Sequence, residues 1–513
     1  MNSIMTRYVY TLAAMLTIAG CGGGGGGSPT AGIDRTGAPN PAAAALGTVT
    51  AFGSVVVNGV HYETSNAAFT IDGATGTQAD LDIGDVVLVK GELDANDETR
   101  GSADTVEFDD IVEGPIALGS INATNEFNGT LIVLGQLVHV TLDDTSFDDS
   151  IQPASLDGLS DSLVIEVSGL VRSDGSITAT RIEAKPLSTE FEITGIVSGV
   201  FDGVTRFNIN ALIVDFTDTP LIDNFPGGVI RNDDLVEVKG TSFGTGGELL
   251  ADRVEFKGGL LAGEAGDHIE IEGFITRFAD ALDFDVSGLT VTTDGNTIYT
   301  GGIAPGNLPN ATDLGLDIKV EVEGERNGDG VLLASKIDIR RSKAVRMLAD
   351  VDSVAADGSS FVALGVTVNI DDMTRLEDKR SGSAGGSFAI DSLAGAYVEV
   401  RGVEFPAGSG EILAGILELE DADPDTILQG FVPSRVGATP PDPVPGDPSF
   451  LIFGVRITTN ALTTEFFRGE NTSIDATEFF DSLDSAAIPL LIKAKGTEMD
   501  PPEIVADEVQ IQD

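Results

Sequence analysis

Four short signatures recur in one order along this chain, six times over, at spacings of 67 to 94 residues. Solenoid repeats have shorter periods, roughly 20–50 residues, so each unit here is large enough to carry its own core. The chain is therefore read as a string of like domains at 46–110, 111–187, 188–260, 261–342, 343–423 and 424–513. Beads on a string are the expected arrangement.

The first signature is a small residue leading an apolar strand: Gly47, Gly114, Gly195, Gly273, Ala349 and Gly430. The second is an apolar run broken by a small residue, at Gly59, Gly135, Ala211, Gly288, Gly365 and Gly454. A glycine inside such a run marks a bulge or a tight bend where a sheet curls. The third alternates with period two and stops at Gly91, Gly169, Gly240, Gly324, Gly402 and Gly496, as in VIEVSG and KVEVEG. That pattern describes a half-buried strand. The fourth, such as ATRIEA or ADRVEF, begins at Ala103, Ala179, Ala251, Ala334, Ala414 and Ala506, where close packing on a neighbouring strand requires a small side chain.

Splitting the second signature at its small residue gives about five strands per unit, the number of a small OB-like Greek-key barrel. The predicted fold class is all-β: six tandem OB-like barrels. Barrel closure removes most exposed edges, which neighbouring β domains must do to avoid pairing with one another. A longer polar connection precedes the third signature in each copy, and NLPNATDLGL in the fourth is a candidate short helix.

The amino terminus carries an address. Arg7 precedes a mostly apolar run from Tyr8 to Gly20, too short for the roughly 20 residues that span a bilayer but suited to a secretory signal peptide over 1–20. The run ends in Ile18-Ala19-Gly20-Cys21, which resembles the bacterial lipobox, and this resemblance implies that the thiol of Cys21 takes a diacylglyceryl group. Lipidation contributes about 0.8 kcal/mol per buried CH₂, and stable anchoring takes more than one chain. By analogy with lipoproteins, Gly22 after the cysteine implies the outer membrane. Polyglycine from Gly22 to Gly27 and a Pro/Ala-rich continuation make 21–45 a flexible leash. Lipobox, leash and repeated EVxG and AxxIE units together are similar to a family of bacterial lipoproteins built from tandem copies of a small β domain of unknown function. The resemblance covers 46–513 and brings no catalytic residues.

Composition narrows the function. With 82 acidic side chains against 29 basic ones, the net charge of -53 repels phosphate backbones and excludes nucleic acid as an expected partner. Cys21 is the only cysteine, which removes intramolecular disulfides and multi-cysteine metal sites. There is no Trp, and only 5 Tyr and 3 His are present, so groups that stack on sugars or shuttle protons near neutral pH are scarce. An enzyme is not expected.

Three groups of residues are candidate sites. His61 and His139 both follow the small residue of the second signature, at different offsets, and are read as half-exposed strand residues; His268 stands alone. Asp421, Asp423 and Asp425 imitate positions 1, 3 and 5 of a calcium loop, but Thr426 replaces the glycine and Val432 the bidentate glutamate. Asp143 and Asp144 with Asp148 and Asp149 form another carboxylate cluster. The expected role is a non-catalytic, lipid-anchored envelope protein, a spacer or an interaction surface for another envelope component. The alternative is a module whose barrel mouths or junctions bind Ca²⁺ or a small polar ligand; no other cofactor is expected.

Overall fold

The computed structural model describes residues 42–512 apart from 53, 95–96, 126, 188–189, 201–204, 219–220, 259–264, 302–308, 341–344, 372–373, 381–387, 407, 434–447, 461, 470–471, 487–488 and 500–501. The expected signal peptide, Cys21, nearly all of the expected leash and most of the Pro-rich insertion of copy six lie outside the described residues.

Each signature becomes strand or turn. In copy one the opening strand Ala42–Ala51 pairs with Val55–Val57, which turns back as Val60–Glu63. The third strand runs parallel to the last, Asp97–Phe108; the last is antiparallel to the fourth, Val86–Asp94, and the fourth returns to the opening strand. This closed cycle, first–second–third–last–fourth–first, is the OB-like barrel. Copies four and five close by the same ladders. Copy two closes through a single bridge, Ile116 to Val133, and in copy three the last strand is split into Leu249–Leu250 and Arg253–Phe256. Copy six has the later ladders, but none joins its opening strand Thr426–Val432 to Ser449–Ile452 among the described residues. The interiors are filled, with Phe207, Phe284, Phe361 and Phe450 buried at the centres of four copies.

The small residue of the second signature sits in a two-residue hairpin turn rather than a bulge. In copies one, two, four, five and six it and the residue before it both have positive φ, as in Leu134 at 46° with Gly135 at 75°. Two positive φ values in succession give the type I′ turn, whose twist matches that of the flanking strands. Apolar Leu134, Leu364 and Phe453 take the first position because tertiary packing rewards them there: a Cβ on Gly114 would stand 2.5 Å from Leu134, and one on Gly430 2.5 Å from Phe453. The glycine of the first signature is thus the seat for the turn of the second.

Every copy has a one-turn or longer helix between its third and fourth strands. In the first five it is a 3₁₀ turn, including Ala311–Asp313 in the segment expected to hold a short helix, capped by Asn310. In copy six it is the α-helix Ala476–Ser485, capped by Asp475, whose carboxylate accepts the Glu478 amide at 2.9 Å. Phe479 and Leu483 bury against Phe450 and Phe466.

The beads-on-a-string expectation is corrected. Barrel closure leaves the outer edge of each opening strand free, and the copies cover these edges for one another. The opening strand of copy two pairs antiparallel with that of copy three, and that of copy five with that of copy six. Copy one pairs in parallel with copy four through Ala43 to Leu46 against His268 to Ile271. The opening strand of copy one therefore starts at Ala42, inside the expected leash; alanine is a weak strand former, but here it lies between two ladders with Ala43 and Ala45 buried. Copies two and three share one apolar cluster, and copies five and six another. Gln136 stitches copy two to copy three, donating to the carbonyls of Leu134 and Ile209 at 3.0 and 3.1 Å and accepting from Asn210 at 2.7 Å.

Candidate functional site

The third and fourth signatures each place an acid at a fixed position, and the ladder between them sets those acids face to face. Glu166 stands opposite Glu183, Glu237 opposite Glu255, Glu321 opposite Asp338 and Glu399 opposite Glu418. The register follows from the bulge at the signature glycine: Gly169 faces Ala179, one residue is skipped, and Ser168 then faces Arg181. Like charges opposed in this way are destabilising unless something answers them. In copies two to four the answer comes from the residue just after the fourth signature: Lys185 holds Glu166 at 2.6 Å, Lys257 holds Glu237 at 2.7 Å, and Arg340 pairs with Glu321. In copy five Arg346 reaches Glu399 at 2.9 Å, and Arg401 bridges Glu399 at 2.8 Å and Glu418 at 2.7 Å.

These pairs lie on the outer faces of the barrels; Glu166, Glu237, Glu321, Glu399 and Glu418 are buried, Glu237 to 1% exposure, and Glu183, Glu255 and Asp338 are half-buried. The expected half-buried strand is thus covered on both sides, as in Val164–Val171, because the charged faces meet other copies. Arg181 of copy two reaches Asp148 at 2.6 Å, Asp82 of copy one at 3.3 Å and Glu377 of copy five at 3.8 Å, and donates to the Ile83 carbonyl at 3.3 Å. Arg375 of copy five donates to Ser146 of copy two at 2.7 Å, Lys379 to the carbonyl of Phe147 at 2.7 Å and Arg401 to that of Thr145 at 3.1 Å. Lys319 of copy four joins Asp144 of copy two at 2.8 Å to Glu272 at 3.0 Å, and Glu272 accepts the Thr48 amide of copy one at 3.0 Å. Phe127 of copy two lies under the guanidinium groups of Arg346 and Arg401, at 4.4 and 5.3 Å. Copies one and six, which lack the acid pair, fit the same scheme: Leu88 stands where the others have glutamate and joins the core of copy four, and Lys493 faces Gln510.

Burial and neighbouring charge split the carboxylates into two kinds. Burial pushes Asp85 up to about 8 although Arg181 opposes it, and it raises Glu321 to about 7 and Glu420 to about 8. For Glu399 burial is outweighed by Arg346 and Arg401, which bring it down to about 2; Glu377 is likewise held below the usual range by Lys379, Arg181 and Arg375.

The carboxylates singled out by spacing take separate roles. Asp144 and Asp148 are docking residues, paired with Lys319 and Arg181. Asp421 and Asp423 are exposed at the junction of copies five and six; Asp423 accepts the Asp425 amide at 2.8 Å, and the Asp425 carboxylate pairs with Lys495 at 2.7 Å. His61, His139 and His268 are part-buried strand residues beside Ser54, Ser176 and Glu270 at 3.3, 3.2 and 3.1 Å. They lie in three different copies, and burial lowers the pKa of His139.

A carboxylate cluster that spacing did not single out gathers where copies one, two and three meet. Oxygens of Asp110, Glu113 and Glu166 lie within 4.8 Å of one another, as do those of Asp72, Asp109 and Glu192. Lys239 pairs with Glu192, and Lys257 with Asp109 at 2.6 Å. Burial raises Asp110 well above the usual carboxylate range, with Glu192 and Glu166 adding to it.

Compared with known proteins, the chain is matched by a family described as Domain of unknown function (DUF5666) over residues 46–100, 118–183, 194–255, 272–338 and 350–414. These are five copies; the sixth shares their later strand pairings. Among solved structures the chain is similar to one from Drosophila described as Unr CSD456, at 15% identity and a TM-score of 0.12, over 45% of this chain and 98% of that one. No curated protein matches.

Proposed function

Because the chain belongs to the family of tandem proteins carrying Domain of unknown function (DUF5666), and because its recurring charges face other copies, we propose that it is a non-catalytic, lipid-anchored envelope platform. The observation that carries this reading is the use of the repeated acid pairs. Residues that recur in a functional position of a binding module point at a ligand; here Glu166, Glu237, Glu321 and Glu399 are answered by lysine and arginine within the array. The barrels are filled with apolar side chains, which suits stiffness. The polyglycine leash and Cys21 set this body at a distance from the outer membrane, where its acidic outer surface meets another envelope component.

Lipid attachment is tested by metabolic labelling with radioactive palmitate and by detergent phase partition. The wild-type chain is expected to incorporate label and enter the detergent phase, and Cys21→Ser to do neither. A mature wild-type chain that stays unlabelled in the aqueous phase would overturn the anchored reading.

A further inference from the structure

The carboxylate of Asp110 is 1% exposed, and among the described residues no donor reaches either of its oxygens. It stands just before the opening strand of copy two, Val112–Pro115, and its surroundings are acidic. On that strand Glu113 lies opposite Glu166 on one side and opposite Glu192 of copy three on the other, and Glu166 in turn faces Glu183. One row across four adjacent strands thus carries a glutamate on each, and Asp110 adds a carboxylate to it. Two cations answer this row from its flanks. Lys185 pairs with Glu166 at 2.6 Å and Glu183 at 3.4 Å, and Lys239 pairs with Glu192. Among the described residues neither of them, nor any other donor, reaches the Asp110 carboxylate.

An ionised carboxylate in this position is costly unless a cation or a proton neutralises it. Oxygens of Asp110, Glu113 and Glu166 within 4.8 Å of one another fit a shared ion, since two ligands on opposite sides of Ca²⁺, each at about 2.3–2.6 Å, stand about 4.6–5.2 Å apart. The donors are all carboxylate oxygens, which select a hard cation. Mg²⁺ demands near-ideal octahedral geometry and keeps most of its water, whereas Ca²⁺ accepts irregular, largely protein-borne oxygen sets.

We propose that Asp110, Glu113 and Glu166 form a calcium site that locks copy two to the end of copy one. The site is independent of the platform reading, since it stands on the orphaned Asp110 carboxylate and not on the anchor. It is also distinct from the surface group of Asp421, Asp423 and Asp425, where Asp421 and Asp423 are exposed and Asp110 is buried.

The test uses the full mature chain, stripped with chelator, and calcium chloride as the probe in buffers matched for ionic strength with sodium chloride. Calorimetric titration and thermal melts are run on the wild type, Asp110→Asn, Glu113→Gln and Asp423→Asn. The wild type and Asp423→Asn are expected to bind calcium and melt higher in its presence. Asp110→Asn and Glu113→Gln are expected to lose affinity by more than about tenfold, with Asp110→Asn melting at or above the wild type without calcium because a buried repulsion is gone. An unchanged wild-type melt, an Asp110→Asn variant that binds calcium as the wild type does, loss of binding in Asp423→Asn alone, or a preference for magnesium chloride would each overturn the proposal. If Asp110→Asn does not fold, the titration of Glu113→Gln decides.

Discussion

Gly169 faces Ala179 across a bulge, so tightly that a Cβ on Gly169 would stand 2.6 Å from the carbonyl oxygen of Thr178. The same approach recurs at Gly91, Gly240, Gly324, Gly402 and Gly496, each against the carbonyl of a residue just before the signature alanine. Backbone, not a flexible side chain, occupies the space. Gly169→Ala is therefore expected to destabilise the chain by about 1–3 kcal/mol, the usual cost of overpacking. Gly295→Ala, which meets nothing within 4 Å, is the control and should change stability by less than about 0.5 kcal/mol. Equal denaturant midpoints for the two variants would contradict the close approach.

The glycine and alanine of these signatures made the barrel legible, since both are fixed by local geometry inside one copy. The small residue of the second signature is legible only as a bulge or a tight bend, because Leu134, Leu364 and Phe453 are not turn formers; their positive φ is imposed by the barrel around them. The helix Ala476–Ser485 did carry its signal, Asp475 as cap and Phe479, Phe480 and Leu483 on one face, but the β pattern around it drew the reading away. Docking was not legible at all. Whether Glu166 meets solvent or a second copy depends on which outer faces meet, and no spacing within a copy encodes that. The face-to-face acids were readable in principle, from Glu166 and Glu183 counted back from Gly169 and forward from Ala179, once the bulge shifts the register by a residue. Asp110 carries no repeat signal, because it sits at a boundary between copies.

The buried acids predict an acid-shifted stability profile. Asp85, Glu321 and Glu420 are raised to about 8, 7 and 8 in the folded chain, against about 4 in an unfolded one. Between those values the folded state holds protons that the unfolded state has released, so stability falls as pH rises from about 5 to 8. Glu399 runs the other way: lowered to about 2, it stabilises above the unfolded value and loses that contribution as pH drops from about 4.5 to 2. The net charge of -53 adds self-repulsion on the alkaline side. With chelator present, the melting temperature should peak near pH 5 and lie higher there than at pH 8. A maximum at pH 8 would show that these carboxylates are ionised at no cost.

Lys319 is the sharpest probe of whether the copies are docked in solution. It lies in copy four, its ammonium group holds Asp144 of copy two at 2.8 Å and Glu272 at 3.0 Å, and Glu272 also accepts an amide from copy one. Removing one partner of a buried ion pair leaves the others uncompensated, so Lys319→Met is expected to cost about 3–5 kcal/mol, well beyond the worth of an exposed pair. Adding Glu272→Gln and Asp144→Asn to that variant should recover much of the loss, because the stranded charges are gone, although the Thr48 contact weakens. On a string of independent domains Asp144 and Lys319 never meet, Lys319→Met would cost under about 1 kcal/mol, and Asp144→Asn would make no difference to it. A double-mutant cycle between Lys319 and Asp144, read by denaturant unfolding, separates the two arrangements: a coupling energy above about 1 kcal/mol requires that copies two and four touch.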